Sequence, residues 1–149
     1  MSEEFSKHQL LIFMHAIDNY IRRKNYKKRH IRKSYPILIA LAKILMKDVI
    51  DAIDNHICPY CKAEMKTRFA TIRHIVINHG DEYYNDIKYV VEVYARLRKK
   101  LTIVHRYKKG SWIRVLRLKV GDRIIEGRQR DIAKEILKDP NILQELGVL

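Results

Sequence analysis

The sequence predicts an α+β protein. Apolar residues recur at helical spacing over roughly the first two thirds of the chain, and the last third turns β-branched and aromatic around a Lys-Gly turn. Within the helical part lies a compact segment that holds both cysteines of the chain and two closely spaced histidines. At 149 residues the chain fits one domain or two very small ones, and 47% hydrophobic residues suffice for a real core, which excludes a disordered tail. The organisation expected is a helical N-terminal region 1–55 with a basic linker 22–33, a Cys/His segment 56–80, and a unit 81–149 of a helix, a β-hairpin and a closing helix.

The elements follow in order. Phe5, Leu10, Leu11, Phe13, Met14, Ile17 and Ile21 predict an amphipathic helix over 5–23. The linker interleaves Tyr26 and His30 with Arg22, Arg23, Lys24, Lys27, Lys28, Arg29, Arg32 and Lys33, without an acid. Ser34 ahead of Pro36 starts a second helix, carried by Ile37, Leu38, Leu41, Ile44, Leu45, Val49, Ile50 and Ile53 to about Asn55, and the two helices are expected to pair antiparallel. Asp81 caps a long helix in which Tyr84, Ile87, Val90, Val91, Tyr94 and Leu97 share one side. Runs 102–107 and 112–120 flank Lys108-Lys109-Gly110-Ser111 as a hairpin, Gly121-Asp122 turns into a third strand 123–126, and a helix over 128–138 ends at Pro140. Residues 141–149 form a last helical turn or an apolar tail.

Cys58-Pro-Tyr-Cys61, followed at a spacing of twelve by His74 and after four more by His79, has the ligand spacing of a structural zinc site. Two thiolates from one turn and two imidazoles from one helix reach a tetrahedral ion if the histidines share a helical face. Zn2+ is therefore the cofactor expected. The 56–80 segment resembles the C2H2 zinc-finger family, which implies a ββα unit with Cys58, Cys61, His74 and His79 as ligands. The resemblance sets Met65 at the family's first core position and Thr71 where it has a core leucine, so Phe69 or Ile72 is expected to fill that space. It implies base reading from Thr67, Ala70 and Arg73, of which only Arg73 suits the task. The apolar load of Phe69, Ile72, Ile75, Val76 and Ile77 exceeds what an isolated finger buries, which favours a structural staple over a free-standing reader. Cys-Pro-Tyr-Cys is also the glutaredoxin active-site motif, but there it follows a strand and opens a helix, and no paired histidines trail it. His56 is expected at the surface.

Charge selects the partner. Lys and Arg number 31 against 17 Asp and Glu, a net charge of +14, so nucleic acid leads. Besides the linker, a second block runs from Arg96 to Lys119 without an acid and includes Arg106, Lys108, Lys109, Arg114 and Arg117. A solvated, thermophile-like face is the bland account, but thermophile surfaces interleave both signs. The hairpin tip has the look of a wing lying along a phosphate backbone, and Trp112, Tyr107 and Tyr26 are candidates for base stacking as well as for packing. A long helix followed by strands resembles, at fold level, the recognition helix and wing of winged-helix regulators. Asp48, Asp51 and Asp54 read as a solvated helix face, serines lie in no nucleophile motif and no phosphate-cradling glycine loop exists, so the chain is not expected to be an enzyme.

The function expected is duplex DNA binding in transcription regulation. RNA or single-stranded DNA binding is the first alternative. The second is an assembly protein with purely structural zinc, whose tail 142–149 docks a partner or forms a homodimer. Acidic residues in the first five positions argue against export, and no apolar run spans a bilayer, so a cytoplasmic location is expected, in a host cytoplasm if the chain is viral. The composition is similar to that of small DNA-binding proteins of archaea and their viruses.

Overall fold

The computed structural model of the protein describes residues 36–149. The helix expected over 5–23, its pairing with the second helix, and the basic linker from Arg22 to Lys33 lie outside the described residues. The described architecture is α+β, with six helices and a three-stranded antiparallel sheet.

The first helix, α1 (Pro36–Leu45), is apolar on nearly every side. A helix without a polar face belongs in the centre of a protein. Ile37, Ile39, Ala40, Leu41 and Ala42 are accordingly buried, and α1 packs against two other helices, the long α4 and the late α5 described below. The helix expected to run unbroken to Asn55 is interrupted at Met46, after which α2 (Lys47–Asp54) follows. Helical hydrogen bonds nevertheless bridge the break, from Met46 N–H to Ala42 O (2.8 Å) and from Ile50 N–H to Met46 O (3.0 Å).

Helix α3 (Arg68–Asn78) and the long helix α4 (Gly80–Lys100) meet at a single residue, His79. The start of α4 thus precedes the expected Asp81 cap. Along α4 the buried residues are Tyr83, Ile87, Val90, Val93 and Leu97, spaced four, three, three and four apart, while Tyr84, Val91 and Tyr94 are only partly buried. Leu101 then takes extended geometry, and the helix feeds directly into the sheet.

The sheet runs in the order β1 (Leu101–Lys108), β2 (Ser111–Val120), β3 (Arg123–Gly127). Its hairpin closes at Lys109-Gly110, both at positive φ (50° and 81°), as a two-residue type I′ loop demands and as glycine makes easy. Alternation sends Leu118, Val120 and Ile125 into the core, where α5 (Gln129–Lys138) covers the base of the sheet. Arg128 N–H donates to Asp131 Oδ2 (2.9 Å) to start α5. That first turn presses on Gly127, where φ is 154° and an added Cβ would sit 2.7 Å from Asp131 Cβ. Gly127→Ala should therefore lower stability by roughly 1–3 kcal/mol, read as a lower thermal midpoint with unchanged far-UV dichroism.

The C-terminal residues form α6 (Asn141–Glu145) and a short tail. Ile142, Leu143 and Val148 are fully buried in the protein's own core, and Arg96 Nη1 donates to Val148 O (3.0 Å). The tail expected as an alternative docking surface is therefore spent internally, and of its apolar residues only Leu149 stands well exposed. Cys58, Ile72, Ile75 and Val76 of the Cys/His segment belong to the same core cluster as α1, α4, the sheet and the C-terminal helices. Among the described residues no helix is long and apolar enough to cross a membrane.

Candidate metal centre and cationic surface

Four donor atoms, from Cys58, Cys61, His74 and His79, lie within 4.8 Å of one another, close enough to hold a metal ion. The cysteines come from a tight turn after α2. Cys58 N–H donates to Ala63 O and Lys62 N–H to Cys58 O, both at 2.9 Å, and Lys62 takes φ 65° to close the loop. The hairpin implied by the finger resemblance is reduced to one isolated bridge, Ile57 with Glu64, so no second sheet forms here. A loop this short cannot extend two strands, because its backbone groups are consumed in turning. His56, half-buried at φ 60°, accepts from Met65 N–H through its carbonyl (2.8 Å) and takes no part in the cluster.

The histidines explain the helix break. Residues five apart on a continuous helix point about 140° away from each other. Two imidazoles at this spacing cannot face one ion from a single regular helix, contrary to the shared face expected from the sequence. At His79 the chain leaves helical geometry (φ −132°, ψ 33°), and the ring swings to within 5.3 Å of the His74 ring. The outer ring nitrogens are already engaged. His79 Nδ1 lies 3.1 Å from Glu82 Oε2, and His74 Nδ1 lies 3.2 Å from the Asn78 side-chain amide. A carboxylate on the far nitrogen orients an imidazole and raises its basicity as a ligand. His74 Nε2 points inward, 3.3 Å from Cys61 Sγ.

The thiols are tuned in opposite directions. Burial pushes the Cys58 thiol up, against backbone N–H donation from Cys61 and Tyr60. The Ala63 backbone N–H, aided by the His74 and His79 rings, holds the Cys61 thiol down at about 6. The Cys61 sulfur and the Glu82 carboxylate together raise the His79 imidazole. Two sulfurs and two imidazole nitrogens with backbone donors on the sulfurs form a donor set suited to tetrahedral zinc rather than to oxygen-seeking calcium or magnesium.

Two clips bind this segment to the body, Tyr60 to Asp86 and Arg68 to Asp54. The Tyr60 ring lies against His79 (5.5 Å between centroids), and its hydroxyl donates to Asp86 Oδ2 on α4 (2.5 Å). Arg68, at the start of α3, pairs with Asp54 at the end of α2 (2.7 Å). Thr71, where the family resemblance expects a leucine, is fully buried, and its hydroxyl donates to Thr67 O (2.8 Å). Of the two residues expected to compensate, Ile72 is buried and Phe69 is 49% exposed. On the outer face of α3, Phe69, Arg73 and Ile77 stand exposed at intervals of four. Thr67 Oγ1 caps the helix by accepting from Ala70 N–H (3.0 Å), and Ala70 is half-buried, so Arg73 is the one expected base reader with a free charged head.

The second basic block is less uniform than its sequence. Glu126, on β3, accepts from Arg106 and from Arg117, and the two guanidiniums hold its carboxyl below the usual range. Arg98 lies over the Tyr94 ring. Lys108, Lys109 and Arg114 stand exposed on the hairpin without an ion pair among the described residues, as do Lys99, Lys100 and Lys119. Sequence reasoning missed Glu82, Asn78, Asp86 and Glu126. Glu82 was discoverable, because a carboxylate three residues past His79 falls one turn on. Glu126 was not, because its pairing with Arg106 spans three strands. The chain matches no protein-family model, no curated protein and no solved structure.

Proposed function

We propose that the protein is a zinc-stapled nucleic-acid-binding protein of C2H2 finger type that binds double-stranded DNA in a regulatory role. Zinc, held by Cys58, Cys61, His74 and His79, locks α3 against α4 and so supports the helix that feeds β1. The metal acts as a staple, since Ile72, Ile75 and Val76 turn the finger helix inward and leave an outer face with one cation.

The observation that carries the binding reading is the hairpin tip. Lys108, Lys109 and Arg114 project from the body with no acid to neutralise them among the described residues. Charge left so exposed is a self-repulsive cost unless an external polyanion meets it. Equal-length duplex and single-stranded probes, titrated by fluorescence anisotropy over a range of salt, test the reading. Tighter duplex binding is expected, with a log-log salt slope of roughly −5 if about six phosphates are met. A flat salt response would refute it. Arg73→Ala should leave the salt slope nearly unchanged and relax sequence preference only to the extent that α3 reads bases, which binding to a randomised duplex pool measures.

A further inference from the structure

The β1–β2 hairpin outgrows the sheet that supports it. The two strands pair from Leu101↔Leu118 out to Lys108↔Ser111, whereas β3 covers β2 only between Leu116 and Val120. The pairs from Val104↔Val115 to Lys108↔Ser111 therefore form a two-stranded arm that no third strand covers, about 13 Å long at the usual rise per residue and tied back to β3 through Arg106 and Glu126 on its other face. Every residue from His105 to Arg114 is exposed. A two-stranded ribbon wet on both sides is marginal alone, and this one carries large apolar groups near its tip.

One face of the arm continues the face that carries Leu116 and Leu118 inside the body. By alternation it bears His105, Tyr107, Trp112 and Arg114, with Ile103 at its root. Tyr107 and Trp112 are directly opposed and meet edge to face, 5.3 Å between centroids at 66°. That contact holds the hairpin closed, yet the residues remain 63% and 69% exposed. An edge-to-face pair uses one ring face at most and leaves the others open to stack. Where the arm leaves the body, a cleft lined by Ile103, Arg114, Leu116, Gly127, Arg128 and Gln129 extends the same surface towards the start of α5. The surface is thus aromatic at its tip and cationic behind it, with no acid among its lining residues and the neighbouring Asp131 carboxylate taken up by Arg128 N–H, which is complementary to stacked bases flanked by phosphates.

We propose that this arm enters a groove of duplex DNA with its Trp112 face against the base pairs, Trp112 wedging into a base step while Arg114 and Arg128 meet flanking phosphates. Two-stranded ribbons enter the major or the minor groove, and apolar wedges inserted from the minor groove unstack a step and bend the duplex, which sets the minor groove as the one this arm enters. The inference rests on the DNA-binding reading above and adds a mode of contact to it.

Trp112 is the single tryptophan of the chain, so its emission reports the arm directly. The full chain is titrated with a short duplex at low salt, following Trp112 emission and the anisotropy of an end-labelled duplex in parallel, with end-to-end energy transfer as a measure of bending. Quenching that saturates together with anisotropy, and a shortened end-to-end distance, are expected. Trp112→Ala should weaken binding by about tenfold and abolish the bend while keeping the salt slope, and Trp112→Phe should recover most of both. Rising anisotropy with unchanged emission overturns the wedge and leaves DNA binding standing. Tighter binding and equal quenching on the single strand overturn the duplex assignment. No anisotropy change at low salt overturns the binding reading and the wedge together. The wild-type titration decides even if the alanine variant misfolds.

Discussion

Cys58→Ser should unfold the segment from Ile57 to His79 and lower the thermal midpoint of the protein by roughly 20 °C. The expectation follows from where the sulfur sits. Cys58 is fully buried in the core cluster, and its backbone anchors both ends of the turn. Zinc binding to such a site contributes on the order of 10 kcal/mol to folding, comparable with the whole net stability of a domain this size. Losing even about half of it moves the midpoint by the stated amount, at about 4 °C per kcal/mol. A serine oxygen is a poor substitute for a thiolate and adds a polar group to an apolar site. Dichroism-monitored melting of wild type and variant, with zinc and with chelator, checks it. The chelated wild type should resemble the variant, and identical melts in all four conditions would show that these residues hold no stabilising metal.

Lys108→Ala combined with Lys109→Ala should weaken duplex binding about equally for all sequences and bring the salt slope from roughly −5 to roughly −3. Each phosphate contact contributes close to −0.9 to that slope, and neither lysine has an anion partner among the described residues. Arg106→Ala provides the internal contrast. Its guanidinium already meets Glu126, so its removal should change the slope by less than either lysine does. Anisotropy titrations at four or five salt concentrations measure both. A double variant with the wild-type slope would place the phosphates elsewhere on the surface.

Much of this was legible in the sequence. The order of helix, Cys/His segment, long helix, hairpin and closing helix follows from periodicity and turn residues, and the loop falls inside the expected 108–111 turn, tightened to Lys109-Gly110 because Lys108 and Ser111 still pair. The four clustered donors follow from their spacing alone. What escaped depends on groups distant in sequence or on competition between neighbours. Periodicity selects a helix face only to within about a residue, so it favoured Tyr84 and Tyr94 where Tyr83 and Val93 lie deepest, because the depth is set by what packs on the face. The break at His79 brings two imidazoles five residues apart together, a geometry that helical periodicity alone does not give. The two strands that the family resemblance implied reduce to the Ile57–Glu64 bridge, within a turn whose hydrogen bonds run inside 56–65. The acid-free run 96–119 reads as wholly unpaired until β3 brings Glu126 alongside. The apolar tail resembles a docking surface until α6 folds Ile142, Leu143 and Val148 inward.

Elemental analysis of the purified full-length chain, by plasma mass spectrometry against protein concentration, tests the metal staple most directly. One zinc per chain is expected, released on addition of a thiol-modifying reagent and absent from a variant lacking Cys58 and Cys61. A wild-type chain that is folded and free of zinc or any other transition metal would contradict the account.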